Sequence, residues 1–335
     1  MPKQEMTQKA DTAPKKKGRF GCLSIAILTF VVLAIGFLAG PIGKSMFKGV
    51  NLPAWLSVPQ PKPELPAEVL FHISGLPVTN SILATWITMM VLVILFFVVS
   101  RRLKVIPGRL QSMLEFALEA LLTFCQSVAG KENGRRFFPI VATIFLFVIF
   151  NGWLSLLPGF GSIVVHTAEG HEAHLLRGAN TDINTPLAIA VMSFVFVEFF
   201  GLRSLKLGYL KKFINVGVFF GGLGQLVRGK VGAGLGGIVM GIVNIFVGVI
   251  EALSEFVRII SFTLRLFGNM TAGEILLLMV TFLVPFLAAL PFYGLEILVG
   301  FVQALIFGGL TLIFLTMAVT SHEHQEHGEE THKNK

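Results

Sequence analysis

The chain has 335 residues, of which 54% are hydrophobic and only 14% charged, with 32 Phe. A typical globular protein carries about 25% charge, and here the apolar residues come in long runs, so a water-soluble enzyme core is excluded and a polytopic membrane protein is expected. The net charge of +8 could suggest nucleic acid, but the basic residues stand at the ends of apolar runs, where membrane topology explains them. The two cysteines, Cys22 and Cys125, lack metal spacing and read as free thiols.

Residues 1–19 form a basic tail with Lys15, Lys16, Lys17 and Arg19. Residues 20–40 then read as an added N-terminal transmembrane helix or a cleaved signal segment, the retained helix with the N-terminus inside being the favoured reading. Residues 41–78 make a linker on the outer side. The density of proline from Pro41 to Pro66 argues against helix and for extended chain. Gly43-Lys44-Ser45 fails as a phosphate loop, because Leu38 stands where the first glycine is needed.

Asn80 is expected to cap a span over Ile82–Ser100, closed by Arg101, Arg102 and Lys104 on the cytoplasmic side. Residues 107–129 read as an amphipathic interfacial helix, with Leu110, Leu114, Ala117, Leu118 and Leu121 on one face and Glu115 and Glu119 on another. Phe138–Leu157 is the next span and holds Asn151, either a channel-lining amide or a helix-packing one. Residues 159–181 form an outer loop whose His166, His171 and His174 lack the companions of a metal site. Asp182 and Asn184 precede the span that Pro186 opens, which ends near Phe200 and is followed by Arg203, Lys206, Lys211 and Lys212.

Residues 213–250 are glycine-rich. Gly232 to Gly237 matches G-x-G-x-x-G formally, but no strand precedes it, so close helix packing or a re-entrant segment is the better reading. A long helix over 251–290 comes next. At 100° per residue it places Glu251, Glu255, Arg258, Phe262, Arg265 and Asn269 on one narrow face, a polar lane leading to mid-membrane. Glu274, nine residues after Arg265, points the opposite way, toward the rest of the chain. After a turn at Pro285 and Pro291, a last helix over Leu295–Val319 brings Glu296 to the level of Glu274 and Gln303 nearer that of Arg265. Residues 321–335 are a His- and Glu-rich tail, expected in the cytoplasm.

Arg265 dominates this pattern. An arginine at membrane depth costs about 2.5–3.5 kcal/mol on insertion scales and cannot discharge by losing its proton. It needs an anion, and its own helix offers none one turn away. One solution is a partner in another chain. The other is a secondary transporter that binds an anionic substrate at Arg265 between broken helices, although no inverted second copy of the motif is present.

Leu264-Arg265-Leu266-Phe267-Gly268-Asn269-Met270 followed by Ala272-Gly273-Glu274 resembles the signature of subunit a of F-type ATP synthases. Gln303-Ala304-Leu305-Ile306-Phe307 resembles that family's last helix, and Thr181 to Ala188 its middle hairpin. The resemblance covers roughly Val69–Thr320, and the domain itself is set at 79–320. It implies an all-α polytopic membrane protein of the bacterial inner membrane. Five to six transmembrane helices and an interfacial helix are expected, with a C-terminal hairpin facing a rotor ring.

It also implies a proton-translocating stator subunit, not catalytic alone and without cofactor or metal, partnered by c-ring subunits, peripheral-stalk b subunits and other ATP synthase subunits. Arg265, Asn269, Glu274, Glu296 and Gln303 would then carry proton translocation, with Asp182, Asn184, Glu251, Ser261 and Asn151 as half-channel candidates. In that family the position of Glu296 is often histidine. Here it is a carboxylate, and two close carboxylates would share a proton.

Overall fold

The computed structural model describes residues 18–46, 60, 66–73, 75–101, 103–157, 159–161, 163–166, 172–205, 209, 217–228 and 231–320. The basic tail, the His-rich tail, His171, Arg102, Lys206, Lys211 and Lys212 lie outside them. The helices are α1 (Gly18–Ala39), α2 (Pro41–Met46), α3 (Asn80–Arg101), α4 (Arg109–Ala129), α5 (Lys131–Ser155), α6 (Asn184–Leu205), α7 (Gly217–Val227), α8 (Val231–Leu283) and α9 (Leu290–Thr320). Two antiparallel strand pairs accompany them: β1 (Val69–Ile73) with β2 (Leu76–Thr79), and β3 (Val164–His166) with β4 (Glu172–His174). Among the described residues, α3, α4, α5, α6, α8 and α9 are long and apolar enough to cross a membrane. The protein is therefore an all-α polytopic membrane protein, as its composition implies.

The chain divides into two compact units. One comprises residues 1–62 and 276–293. Within it α1 packs against the turn that follows α8, where Gly36 meets the Pro285 carbonyl and Gly40 the Leu283 carbonyl so closely that a Cβ at either position would overlap it. That turn, Phe286–Ala289, starts with Phe286 at φ +73°, a left-handed conformation seldom taken by a bulky residue. Pro41 does not exclude helix here. It opens α2 at the first helical position, where its missing N–H costs nothing.

The other unit, residues 63–275 and 294–335, is built around α5. Val148, Ile149 and Phe145 of α5 meet Leu121 of α4, Ala190 of α6, Leu266 and Met270 of α8, and Ala304 and Phe307 of α9. A neighbouring cluster joins Phe137 and Val141 to Cys125, Val197, Leu312 and Leu315. Gly134 lets α5 approach the backbone of α4 at Cys125 and Gln126. The buried stripe of α4 is Leu114, Leu121, Cys125 and Ala129, while Leu110 and Ala117 are exposed, so the expected apolar face is rotated toward the helix's C-terminal half. Likewise the cap of α3 is Thr79, whose hydroxyl accepts the Ile82 N–H at 3.3 Å. Asn80, 1% exposed, turns inward to the His174 carbonyl at 3.3 Å instead.

The glycine-rich stretch is an antiparallel helical hairpin. Gly234, Gly237 and Gly241 of α8 face Leu226, Gly222 and Phe219 of α7, backbone against backbone. This is the small-residue contact by which helices associate in apolar surroundings, and it accounts for Gly234 and Gly237 of the G-x-G-x-x-G pattern, though not for Gly232, which meets nothing within 4 Å. Instead of beginning near residue 251, α8 therefore starts at Val231 and runs for 53 residues, ending at Leu283 before Pro285. At 1.5 Å per residue it is about 80 Å long, far more than the ~30 Å of a bilayer's hydrocarbon core. A Cβ at 237 would strike the α7 backbone, whereas one at 236 meets nothing within 4 Å. Gly237→Ala should accordingly lower the thermal stability of the purified protein by about 1–3 kcal/mol. Gly236→Ala should leave it unchanged or raise it by up to about 1 kcal/mol through helix propensity. Thermal unfolding of the two variants side by side checks the contact.

Candidate functional site

Two polar clusters and one bare cation stand out in the larger unit. The first cluster surrounds the start of α6. Asp182, 8% exposed, accepts the Ser81 hydroxyl at 2.6 Å on one oxygen. Its other oxygen accepts the Asn184 backbone N–H at 3.1 Å and side-chain amide at 3.0 Å. Asp182 thus satisfies the first turn of α6 and ties it to α3. Asn184 is itself exposed. Asn151 is buried in α5 and donates to the Thr88 hydroxyl at 3.1 Å, while its carbonyl oxygen accepts the Asn180 N–H at 3.2 Å. It joins α3, α5 and the turn before α6. Beside it the Asn180 side chain, also buried, has no hydrogen-bond partner among the described residues.

Glu274 and Glu296 lie close by. Glu274 pairs with Arg177 at 3.4 Å, and Arg177 donates its other terminal nitrogen to the Pro66 carbonyl at 3.1 Å. Glu296, 6% exposed, packs its carboxylate on Gly273, where any Cβ would overlap it. The missing Cβ at 273 gives the Glu296 carboxylate this seat against α8. Gly152 of α5 and Gly300 of α9 lie beside the Met270 side chain of α8, where an added Cβ would make only ordinary contact. The Trp153 indole donates to the Ile297 carbonyl at 3.1 Å and fixes α9 on α5. Gln303, two turns beyond Glu296, is buried beside Ala304. The α8–α9 contact expected near Glu274 and Glu296 is present as the Glu296–Gly273 contact, while Asp182 bonds to Ser81 and Asn184.

The second cluster lies near the opposite end of the same helices. Glu255, 4% exposed, pairs with Arg258, whose guanidinium stacks over the Phe314 ring at 3.7 Å. Tyr209 packs on Gly201 and donates to the Glu198 carboxylate at 3.1 Å. Burial, and then the Glu198 carboxylate, push the Tyr209 phenol well above its ordinary range.

The bare cation is Arg265. It is exposed and makes no hydrogen bond or ion pair with any described residue. Ser261, Leu264, Gly268, Asn269 and Ala272 are exposed with it, whereas Glu255, Phe262, Leu266, Met270 and Gly273 are buried. The narrow polar face expected from the sequence is therefore split. Glu255 and Phe262 turn into the bundle, Arg265 and Asn269 turn outward, and Glu251 is half-buried. Angular proximity on a helix does not say where the neighbouring helices end. Arg177, Ser81, Glu198 and Tyr209 were not singled out from sequence. Arg177 carried one signal, a cation in a loop otherwise expected on the outer side, against the usual charge bias.

Long apolar helices, one of them carrying an exposed arginine, define a polytopic membrane protein. The sequence profile described as ATP synthase A chain matches residues 82–316, and the chain belongs to that family. It is 30% identical to "ATP synthase subunit a" of Gloeobacter violaceus over 244 residues, 73% of this chain and 85% of the relative. The same named subunit of Moorella thermoacetica is 30% identical over 258 residues, 77% of this chain and 98% of the relative. "ATP synthase subunit a 3" of Pelobacter propionicus is 31% identical over 231 residues, 69% and 83%.

The Tyr209 environment has a testable consequence. Tyr209 and Tyr293 are the chain's two tyrosines, so a Tyr293→Phe variant leaves one phenol to follow. Its phenolate absorbance should develop only above the ordinary tyrosine pKa of about 10. The folded form then holds a proton that the unfolded form has lost, so this group's contribution to stability falls as pH rises above about 10. Tyr209→Phe should remove that alkaline loss, and ordinary titration near pH 10 would contradict the buried geometry.

Proposed function

We propose that the chain is the ion-channel stator subunit of a proton-translocating F-type ATP synthase in a bacterial plasma membrane. In this reading it works against a ring of small c subunits, alongside the peripheral-stalk b subunits. The observation that carries the reading is Arg265, exposed and unpaired within the described chain on a helix of membrane-spanning character. Its surroundings, Leu264, Gly268, Asn269 and Ala272, are small or uncharged, which suits a surface that slides past.

The partner is a ring carboxylate. Facing lipid, that carboxylate must be protonated, because burial disfavours its charge. Facing Arg265, its charged form is favoured and the proton leaves. Protons reach the ring through an outer half-channel past Asp182, Glu274 and Glu296, with Asn151, Asn184 and Gln303 bordering it. The buried, unpartnered amide of Asn180 adds polar lining there. Protons leave by an inner path near Ser261, Asn269 and Glu251, and Arg265 stands between the paths as a fixed charge that blocks a direct leak. Each proton crossing 100 mV releases about 2.3 kcal/mol, so several must combine for each ATP. ATP chemistry belongs to other subunits in this scheme, and the C-terminal tail lies in the cytoplasm.

ATP-driven proton uptake in inverted vesicles carrying Arg265→Ala, with complex assembly checked in parallel, tests the reading. Pumping should fall at least tenfold, about 1.4 kcal/mol or more, in a fully assembled complex. Normal pumping would overturn the assignment.

A further inference from the structure

Arg177 has no part in the scheme above, yet it is the residue that holds Glu274. We propose that Arg177 is the positioning residue of the outer proton path: anchored to the outer linker, it presents the Glu274 carboxylate beside Glu296. The inference rests on the reading of Glu274 as a proton carrier.

Three observations carry it. First, Arg177 is the more buried partner, with its side chain 11% exposed against 36% for Glu274. A cation withdrawn from water is placed by the fold, not left as a solvated loop charge. Second, its planar fork is divided. One terminal nitrogen holds the Pro66 carbonyl at 3.1 Å, a normal hydrogen bond, while the other reaches Glu274 at 3.4 Å, long for a charge-assisted contact. The arginine is therefore fixed on the linker and loosely joined to the carboxylate. A carboxylate that must take up a proton and pass it on needs a partner it can leave. Third, the next residue toward the N-terminus, Gly273, carries the Glu296 carboxylate on its backbone. Swinging Glu274 away from Arg177 thus moves it relative to a second carboxylate on the neighbouring helix.

A guanidinium does not exchange its own proton in this range, so Arg177 steers and does not relay. One proton moves between the carboxylates. It leaves Glu274 anionic and Glu296 neutral, and the Arg177 contact re-forms on the anion.

The test is a double-mutant cycle in the complete synthase, reconstituted in liposomes, reading ATP-driven proton uptake with subunit co-purification as the assembly check. Arg177→Gln keeps an amide for the Pro66 carbonyl and removes the charge. It should lower the rate roughly three- to tenfold, the size of one partly solvated ion pair. In a Glu274→Gln background the same change should do nothing further, and Arg177→Lys should stay within about twofold of the parent rate.

An equal loss in both backgrounds, or an Arg177→Lys rate as poor as that of Arg177→Gln, would make Arg177 a structural staple and overturn the proposal. If Arg177→Gln does not assemble, Arg177→Met, which keeps the aliphatic stem, takes its place. Failure of both to assemble, where Glu274→Gln assembles, also overturns it. A Glu274→Gln complex that pumps normally defeats instead the underlying reading of Glu274, and it does so without touching the Arg265 result.

Discussion

A guanidinium that cannot shed its charge, carried on a helix apolar enough to cross a membrane, is the constraint from which the rest of this structure follows. Carboxylates, phenols and thiols in an apolar span have an escape, because burial drives them toward their neutral form. Arg265 has none. The fold therefore either supplies an anion or turns the cation outward. Glu255 pairs with Arg258, and Glu274 pairs with Arg177. The chain thus spends its nearest carboxylates on other arginines, and Arg265 is left exposed on α8.

Glycine is the second half of the design. Polar side chains on three different helices meet only if the backbones come close, and close approach requires positions without a Cβ. Gly273 receives the Glu296 carboxylate, and Gly134 admits the α4 backbone at Cys125 and Gln126. The same device at Gly222 and Gly237 builds the α7–α8 hairpin, where no titratable group is involved. Close packing and polar chemistry thus share one mechanism here. It is the mechanism expected where lipid removes the hydrophobic drive between helices and leaves van der Waals contact to hold them.

What could be read from the sequence follows from the same physics. Arg265, Glu274, Glu296 and Gln303 were visible because charge in an apolar run is costly and helical spacing fixes relative direction. The hairpin that brings Glu274 and Glu296 to one level followed from the prolines near its turn. Distances through space were not visible. Arg177 and Glu274 are 97 residues apart, and no periodicity links a loop to a helix. The face shared by Phe262 and Arg265 looked continuous on a helical wheel, yet Phe262 is buried against Phe307 and Phe314 while Arg265 is bare. The early start of α8 was hidden by its glycines, whose low helix propensity is overridden by the contacts they permit.

The two clusters at opposite ends of the helices differ in a way that bears on direction. Around Asp182, Asn151 and Glu274 the polar groups come from α3, α5, α6, α8 and the loop before α6, and their hydrogen bonds run between these elements. Around Glu255 the charges are closed on themselves: Arg258 takes the carboxylate and lies on Phe314, and Tyr209 takes Glu198. The first arrangement can exchange partners, because its bonds are divided among several elements and one of them, to Glu274, is long. The second is compact, and its charges are already matched. Proton uptake needs groups that alternate between partners, whereas release past a matched pair needs only a polar edge. If protons take the two-path course proposed above, the side of Glu274 is the side that gates them, and Arg265 is where the paths are kept apart.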